Sequence, residues 1–367
     1  MTNNEKKLFI DLCKFKEGGA SQAIKDNINN GMDTSAVLGE LFFNRMTAVA
    51  YKTLQSNMLL SQVNREFRTA LKNAYLQNKE KNQSYFDCVQ ELGKILQPLS
   101  DKYAMLKGAY LCRAYPEGLR VSNDIDLLVR AKDVSLMGKV LLDAGFRQGR
   151  IQNDIFTPAT RLEIISSKML RGETVAYIKE VNLPYMKYME VDINFSLDYK
   201  NGDEQTVGKM IDESRRVAID DMELITLNQQ DFFIHLCEHL YKEATAYFWV
   251  KAKRDMSLYK YCDLYMLLAE MTEECLQLLI RRTKELDCIN ACYYAVFSTK
   301  HLFNMDTKIV DKLLESIKPK HTDYINKVVD PYSKKMYEYT EHNILKRFWH
   351  PNRKNILVEV KNDNWKT

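Results

Sequence analysis

The 367-residue sequence predicts an α+β protein in which a core of short strands and helices lies between two helical segments. Residues 1–98 carry apolar side chains at spacings of three and four, the pattern of packed helices. Residues 99–208 change to short apolar runs separated by turn residues, which is typical of short strands. From Lys209 to Thr367 there is no glycine, and Leu, Lys, Glu and Tyr recur at helical spacing, which predicts an all-helical C-terminal domain, residues 209–367. Its end, Pro351 to Val360, is left open as a short strand or a packed arm.

Composition narrows the class of protein. Hydrophobic residues make up 46% of the chain and charged residues 28%, and the net charge of +4 is spread over segments of mixed sign. This distribution disfavours a long nucleic acid as partner but leaves room for a local pocket for an anion. The first seven residues lack the apolar stretch of a signal peptide, and the eight cysteines form no CxxC pair. We therefore expect a cytoplasmic protein with buried, reduced thiols and no membrane contact.

The core segment alternates predicted strands and helices. A strand from Tyr103 closes on Gly108, and a second strand ends at Val129. Between residues 132 and 144 the apolar spacing predicts a helix, and Gly145 suits its C-terminal cap. The other predicted strands are Phe146, Ile155–Phe156, Leu162–Ile165, Val175–Val181 and Met189–Phe195.

Two aspartates stand at the entrance of the strand that ends at Val129. Because side chains alternate along a strand, Asp124 and Asp126 leave the same face, whereas Ile125 points towards the core. Two carboxylates this close repel each other unless a cation lies between them or one keeps its proton. The pair therefore predicts half of a divalent-metal site that awaits a third ligand.

The segment before these aspartates has residues suited to binding a triphosphate. Gly108 would let backbone N–H groups approach phosphate oxygens, and carboxylates nearby would hold Mg²⁺ against them. Lys107 and Arg120 are candidates to neutralise phosphate charge, although Arg120 could instead pair with an acid of the turn. With Ser122, these residues form the predicted nucleotide-binding set.

In this order the residues resemble the bacterial uncharacterised nucleotidyltransferase family, a branch of the polymerase-beta-like nucleotidyltransferase superfamily. The resemblance covers the chain from near residue 100 to near residue 300. The segments that carry it are Leu106-Lys107-Gly108, Tyr115-Pro116, Arg120, Asp124 to Val129, the strand with Asp192, Leu227-Asn228, His235 to Lys242 and Tyr261 to Leu264.

The resemblance implies a small mixed sheet and a third carboxylate on a neighbouring strand. Asp192 fits that place, and Glu190, on the same face of its strand, is the competing choice. Family members often carry Glu-x-His where this chain has Glu190-Val191-Asp192, so the identity of the ligand or base stays open. Where most superfamily members have a Gly-Ser pair, this chain has Lys107-Gly108-Ala109, which implies that Lys107 supplies charge in place of a hydroxyl.

The implied reaction moves a nucleoside monophosphate from an NTP to an acceptor, with two Mg²⁺ (or Mn²⁺) ions. Asp124 and Asp126 would hold both ions, and Asp192 would bind the second and take the proton of the acceptor. A small molecule, a peptide or a protein could serve as acceptor. The departures from the family pattern also allow a catalytically degenerate fold that senses nucleotides or binds another protein.

A histidine motif in the C-terminal segment offers two further interpretations. His235-Leu236-Cys237-Glu238-His239 matches the H-x-x-E-H signature of a zinc peptidase, with Glu315 as the nominated third ligand. In contrast, the family resemblance places His239 and Lys242 on a helix that faces the transferase cleft, where they would contact phosphate or acceptor. Ordinary helix packing is the third interpretation of these histidines.

Overall fold

The computed structural model describes residues 1–15, 21–197, 204–219 and 222–361. Contacts divide them into two compact units. The first unit consists of Met1–Phe42 and Met46–Phe232, and the second of Phe43–Arg45 and the chain from Phe233 onward.

Helices fill the described part of the N-terminal segment, as the apolar spacing predicts. They are α1 (Asn3–Leu12), α2 (Ser21–Asn29), α3 (Thr34–Phe43), α4 (Thr47–Ser56) and α5 (Arg65–Leu96). Helix α5 is the longest, with 32 residues, and begins where the Asn64 side chain accepts a hydrogen bond of 2.8 Å from the Phe67 N–H group.

The first unit is built on an eight-stranded mixed sheet with the order β4-β3-β5-β6-β2-β1-β8-β7. Neighbours pair in parallel at β2–β6 and β1–β8 and antiparallel elsewhere, which confirms the mixed sheet, although it is larger than expected. The strands are β1 (Tyr103–Met105), β2 (Asp124–Val129), β3 (Arg147–Gln152), β4 (Ile155–Pro158), β5 (Tyr177–Leu183), β6 (Met186–Asn194), β7 (Arg215–Ile219) and β8 (Met222–Thr226).

One face of this sheet packs against α5 and a helix α7. The helices between the strands are α6 (Gly108–Ala114), α7 (Val134–Asp143), α8 (Arg161–Arg171) and α9 (Glu204–Asp212). Ile125, Leu127, Val191 and Ile193 join α5 and α7 residues in one buried cluster. Burial of each such side chain contributes about 1.5–3 kcal/mol to stability, and this gain determines which face of β2 and β6 points into the core.

The expected strand at Leu162–Ile165 is wrong, because this sequence lies in helix α8. Thr160 and Glu163 form a capping box in which the Glu163 carboxylate accepts a hydrogen bond of 2.7 Å from the Thr160 N–H group. The apolar run also lacks the burial of a core strand, since Leu162 is 74% exposed. The local cap therefore decides the structure of this segment.

The expectation of an all-helical chain after Lys209 is also wrong. Strands β7 and β8 extend the large sheet, and three further strands form a second sheet, β9 (Lys327–Val329), β10 (Met336–Tyr339) and β11 (Leu357–Val360). The turn between β9 and β10 forms without glycine, because Asp330 accepts the Tyr332 N–H group at 3.0 Å and Lys334 takes a positive φ of 59°. Scarcity of glycine therefore does not exclude strands.

The second unit holds the remaining helices, and the division between the units falls inside the first of them. They are α10 (Gln229–Ala244), α11 (Tyr247–Lys251), α12 (Leu258–Ala269), α13 (Glu273–Glu285), α14 (Ile289–Phe303), α15 (Lys308–Ser316) and α16 (Ile344–Phe348). None of the helices in the described part of the chain has both the length and the apolar character that crossing a membrane requires. All eight cysteines are free thiols, and seven are buried.

A buried ion pair connects the C-terminal segment with the turn that precedes α12. The Arg353 guanidinium donates to both carboxylate oxygens of Asp255, at 2.6 and 2.7 Å, and the Tyr339 hydroxyl donates to the same carboxylate at 3.3 Å. Asp255 is 1% exposed and Arg353 is 7% exposed. Loss of either partner would therefore leave a buried charge without its counter-ion.

We predict that Asp255→Asn or Arg353→Met lowers the free energy of unfolding by about 3–5 kcal/mol. Urea unfolding followed by circular dichroism measures the change. Lys335→Met is the control, because its partner Glu359 and Lys335 itself are about half exposed, and such pairs contribute ~0–1 kcal/mol. Equal, small losses in all three variants would show that the Asp255–Arg353 pair does not stabilise this unit.

Candidate active site

Strand pairing places four carboxylates on one face of the sheet. Strands β2 and β6 run in parallel with Asp124 beside Glu190 and Asp126 beside Asp192. Neighbouring strands are about 4.8 Å apart, so these like charges are held one strand spacing from each other. Such an arrangement favours a cation on this face, because repulsion otherwise lowers the stability of the charged forms.

A lysine already contacts this carboxylate face. The Lys107 ammonium donates to Asp126 Oδ1 at 2.9 Å, and Asp126 is only 5% exposed. Burial alone would lower the pKa of Lys107, but the charges of Asp126, Asp124 and Asp192 outweigh it and raise that pKa. Lys107 is therefore held in its charged form at the end of β1.

The backbone at Lys107 takes a rare conformation. Its φ of 42° lies in the left-handed region, and its ψ is −110°. Residues other than glycine cost about 1–3 kcal/mol in sparsely populated regions, and such residues concentrate at functional sites. The preceding residue is tied to the aspartate strand, since the Leu106 N–H group donates to the Asp126 carbonyl at 2.9 Å. This turn carries the Lys107 side chain to Asp126.

Two residues that the sequence reasoning missed also lie at this face. The Asn194 amide donates to Asp126 Oδ1 at 3.3 Å, and Glu173 forms an isolated antiparallel bridge with Asn194. Asn194 is two residues after Asp192, so strand alternation could have assigned it to the site. Glu173 lies about twenty residues earlier, after α8, and no local pattern points to it.

The environment raises the pKa of two of the carboxyl groups. For Asp192 the causes are burial and then the charges of Asp126, Asp124, Glu190 and Glu173, which together raise its pKa well above the usual range. Burial followed by the charges of Asp124 and Asp126 also raises the pKa of Glu190. Both groups are therefore harder to ionise than ordinary carboxyl groups as long as no further cation is bound.

Helix α5 fixes the segment that enters β2. Its side chains donate to backbone carbonyls of residues 118, 120 and 124. The donors are Asn78 to Gly118 O at 3.2 Å, Asn82 to Arg120 O at 3.0 Å and Tyr85 to Asp124 O at 3.1 Å. Sequence reasoning assigned α5 a packing role alone, whereas these bonds show that it also positions the aspartate strand.

The glycine and serine of the predicted nucleotide-binding set meet at the start of β2. A Cβ atom on Gly108 would lie 2.4 Å from the Cβ of Ser122 and 2.9 Å from the Tyr85 hydroxyl, so no side chain fits there. The Ser122 hydroxyl donates to Asp124 Oδ1 at 3.1 Å. The structure thus brings Lys107, Gly108 and Ser122 together around Asp124.

Arg120 is half-buried, and its guanidinium donates to the backbone carbonyl of Val121. Its own carbonyl is the one that Asn82 holds. Arg120 therefore lies on the segment that leads into the site, and its predicted contact with phosphate stays a prediction.

The donor set suits a hard divalent cation. Asp124, Asp126 and Asp192 offer carboxylate oxygens on one face, as Mg²⁺ and Mn²⁺ prefer, and the Lys107 ammonium shows that Asp126 accepts a cation there. As the side chains stand, however, no three His, Cys, Asp or Glu residues in the described ranges converge closely enough to hold a metal ion.

The histidine motif of the second unit has contacts of its own. His239 Nε2 lies 3.3 Å from Glu243 Oε1, and the Glu243 carboxylate also pairs with Lys260. Burial, followed by the nearby charge of Glu238, raises the pKa of the Cys288 thiol, so Glu238, the base of the zinc-peptidase interpretation, lies close to that thiol. These side chains thus have roles in the packing of α10, and a contact of His239 and Lys242 with the nucleotide stays a prediction.

Comparison with known proteins identifies the family. A family model described as uncharacterised nucleotidyltransferase matches residues 30–304, about three quarters of the chain. The match begins well before the segment near residue 100 where the sequence resemblance starts, and so includes helices α3 to α5. No curated protein and no solved structure gives a significant match. With Asp124 and Asp126 on β2 beside Glu190 and Asp192 on β6, the chain belongs to the uncharacterised nucleotidyltransferase family.

Proposed function

We propose that the protein transfers a nucleoside monophosphate from an NTP to a hydroxyl group of an acceptor. The observation that carries this proposal is the in-register pairing of Asp126 with Asp192, beside Asp124 and Lys107, in a chain of a nucleotidyltransferase family. Phosphoryl chemistry of this kind depends on positioning and charge neutralisation, and this face of the sheet concentrates charged groups suited to both.

Asp124, Asp126 and Asp192 would hold two Mg²⁺ or Mn²⁺ ions. When bound, such ions neutralise phosphate charge and lower the pKa of a coordinated hydroxyl. The aspartates sit on rigid strands whose opposite face is buried, so they keep their spacing while charge develops.

In the transfer step, an acceptor oxygen forms a bond to the α-phosphorus as the bond from the α-phosphorus to the bridging oxygen breaks. Pyrophosphate leaves with that oxygen, and the hydroxyl proton passes to a carboxylate. Asp192 would take this role, because it lies beside Asp126 on the neighbouring strand, next to the ion that would hold the acceptor oxygen. Lys107, Gly108, Arg120 and Ser122 would bind the phosphates.

The proposed reaction requires only that the acceptor carry a hydroxyl group. A small hydroxylated molecule, a peptide or a protein side chain would each supply the attacking oxygen. The modest net charge of +4 over 367 residues makes a long nucleic acid the weakest candidate acceptor.

We predict that the protein, given Mg²⁺ and an NTP with cell extract as acceptor source, transfers label from the α-phosphate and releases pyrophosphate. Thin-layer and gel autoradiography with α- and γ-labelled NTPs measure this. Transfer of γ-label would indicate a kinase instead. Binding of NTP without any transfer, in every acceptor fraction, would favour a nucleotide-sensing protein.

Asp124→Asn, Asp126→Asn and Asp192→Asn should each lower the transfer rate at least about a hundredfold, since loss of a ligand carboxylate removes several kcal/mol of charge stabilisation. Glu190→Gln tests the competing third carboxylate and should leave more activity than Asp192→Asn. Glu223→Gln, an exposed carboxylate on β8, is the matched control. Full activity in Asp124→Asn and Asp126→Asn would contradict the proposed function.

The charge of Asp192 should also affect stability. Because its pKa is raised in the folded protein, the unfolded chain releases this proton first, and the stability that the protonated group contributes is lost as pH rises through the raised pKa. We therefore predict that Asp192→Asn raises the free energy of unfolding at pH 8 in EDTA and not at pH 3, below the usual carboxyl pKa of about 3.9. Thermal unfolding at both pH values measures it, and a lower stability at pH 8 would contradict the prediction.

A further inference from the structure

The Lys107 ammonium occupies a position that a metal-binding carboxylate site would need. It contacts Asp126 Oδ1 at 2.9 Å, the same oxygen that accepts the Asn194 amide at 3.3 Å. Asp126 pairs in register with Asp192 and lies on the same face as Asp124. A divalent cation bound through this oxygen would meet the ammonium at short range, and the two positive charges would repel each other.

With Lys107 bonded to Asp126, the carboxylates of this face also do not converge on a common point. No three acidic, His or Cys side chains of the described residues converge on one point, although three aspartates share the face. Lys107 bonds to one of them, Asp126, and brings one positive charge to a face that carries three aspartates. A divalent cation would compensate more of the negative charge, provided that the ammonium leaves Asp126.

The backbone at Lys107 and Gly108 limits where the Lys107 ammonium can move. Lys107 precedes Gly108, which packs against Ser122 without room for a side chain, and its positive φ fixes the direction in which its side chain begins. The lysine stem is a flexible four-carbon chain and the Lys107 side chain is 17% exposed, so rotation about its torsions would let the ammonium leave Asp126 while β1 stays in place. Phosphate groups bound beside Gly108 would offer it a new partner.

We propose that Lys107 is the resident counter-ion of Asp126 and exchanges with the divalent cation: metal binding releases Lys107 from Asp126 to the phosphates of the NTP. This inference rests on the proposed function and adds to it a coupling between metal binding and nucleotide binding. Lys107 weakens binding of the metal alone and strengthens binding of the metal together with nucleotide. A positive charge therefore offsets the negative charge of the carboxylates both before and after the metal binds.

Mn²⁺ binding without nucleotide tests this exchange. Electron paramagnetic resonance of free Mn²⁺, titrated into the full chain, gives the affinity of the wild type, Lys107→Met, Lys107→Arg and Lys102→Met. Lys107→Met should bind Mn²⁺ at least about tenfold more tightly, because a unit positive charge close to the site is lost. Lys107→Arg keeps the charge and should stay close to wild type. Lys102→Met, whose exposed partner is Asp101, should not differ from wild type.

Wild-type protein gives a second measurement that does not depend on the folding of Lys107→Met. With ¹⁵N-lysine labelling, the ammonium signal of Lys107, assigned by its loss in Lys107→Arg, should shift on addition of Mg²⁺ and again on addition of an NTP. Unchanged or weaker Mn²⁺ binding in folded Lys107→Met, or a signal unaffected by saturating Mg²⁺, would overturn the exchange. Nucleotidyl transfer by the wild type would then still support the proposed function, whereas tighter Mn²⁺ binding without transfer would support the exchange alone.

Discussion

Like charges held one strand spacing apart are the central constraint of this structure. The parallel pairing of β2 with β6 places Asp126 beside Asp192 and Asp124 beside Glu190. Their repulsion is tolerated because the opposite faces of both strands are buried in the main core, which fixes the strands in this register. The charged face is therefore prepared for a cation before any ligand arrives.

Much of the surrounding structure serves to keep that face in place. Helix α5 packs in the core and also holds the carbonyls of the segment that leads into β2. The strained turn at Lys107 brings a positive charge to Asp126 from the other neighbouring strand. Backbone strain, raised carboxyl pKa values and a half-buried lysine occur together here, as is common where function and stability conflict.

Local patterns in the sequence predicted one half of the site, and long-range pairing supplied the other. Strand alternation is enough to place Asp124 and Asp126 on one face, and it would have placed Asn194 with Asp192. The register of β2 against β6 depends on the fold of some sixty intervening residues, so the direct opposition of Asp126 and Asp192 could not be read from either segment alone. The missed helix α8 has a local cause, the capping box, and the missed hairpin of β9 and β10 has another, a turn that forms without glycine.

A crystal structure with Mn²⁺ and an NTP analogue that cannot be cleaved at the α-phosphate would show whether the carboxylate face of β2 and β6 binds the metal. Anomalous scattering would locate Mn²⁺ independently of the protein coordinates. We expect a peak between the carboxylates of Asp126 and Asp192, with the Lys107 ammonium moved from Asp126 to a phosphate oxygen. A peak at another site, with Lys107 still bonded to Asp126, would contradict this expectation.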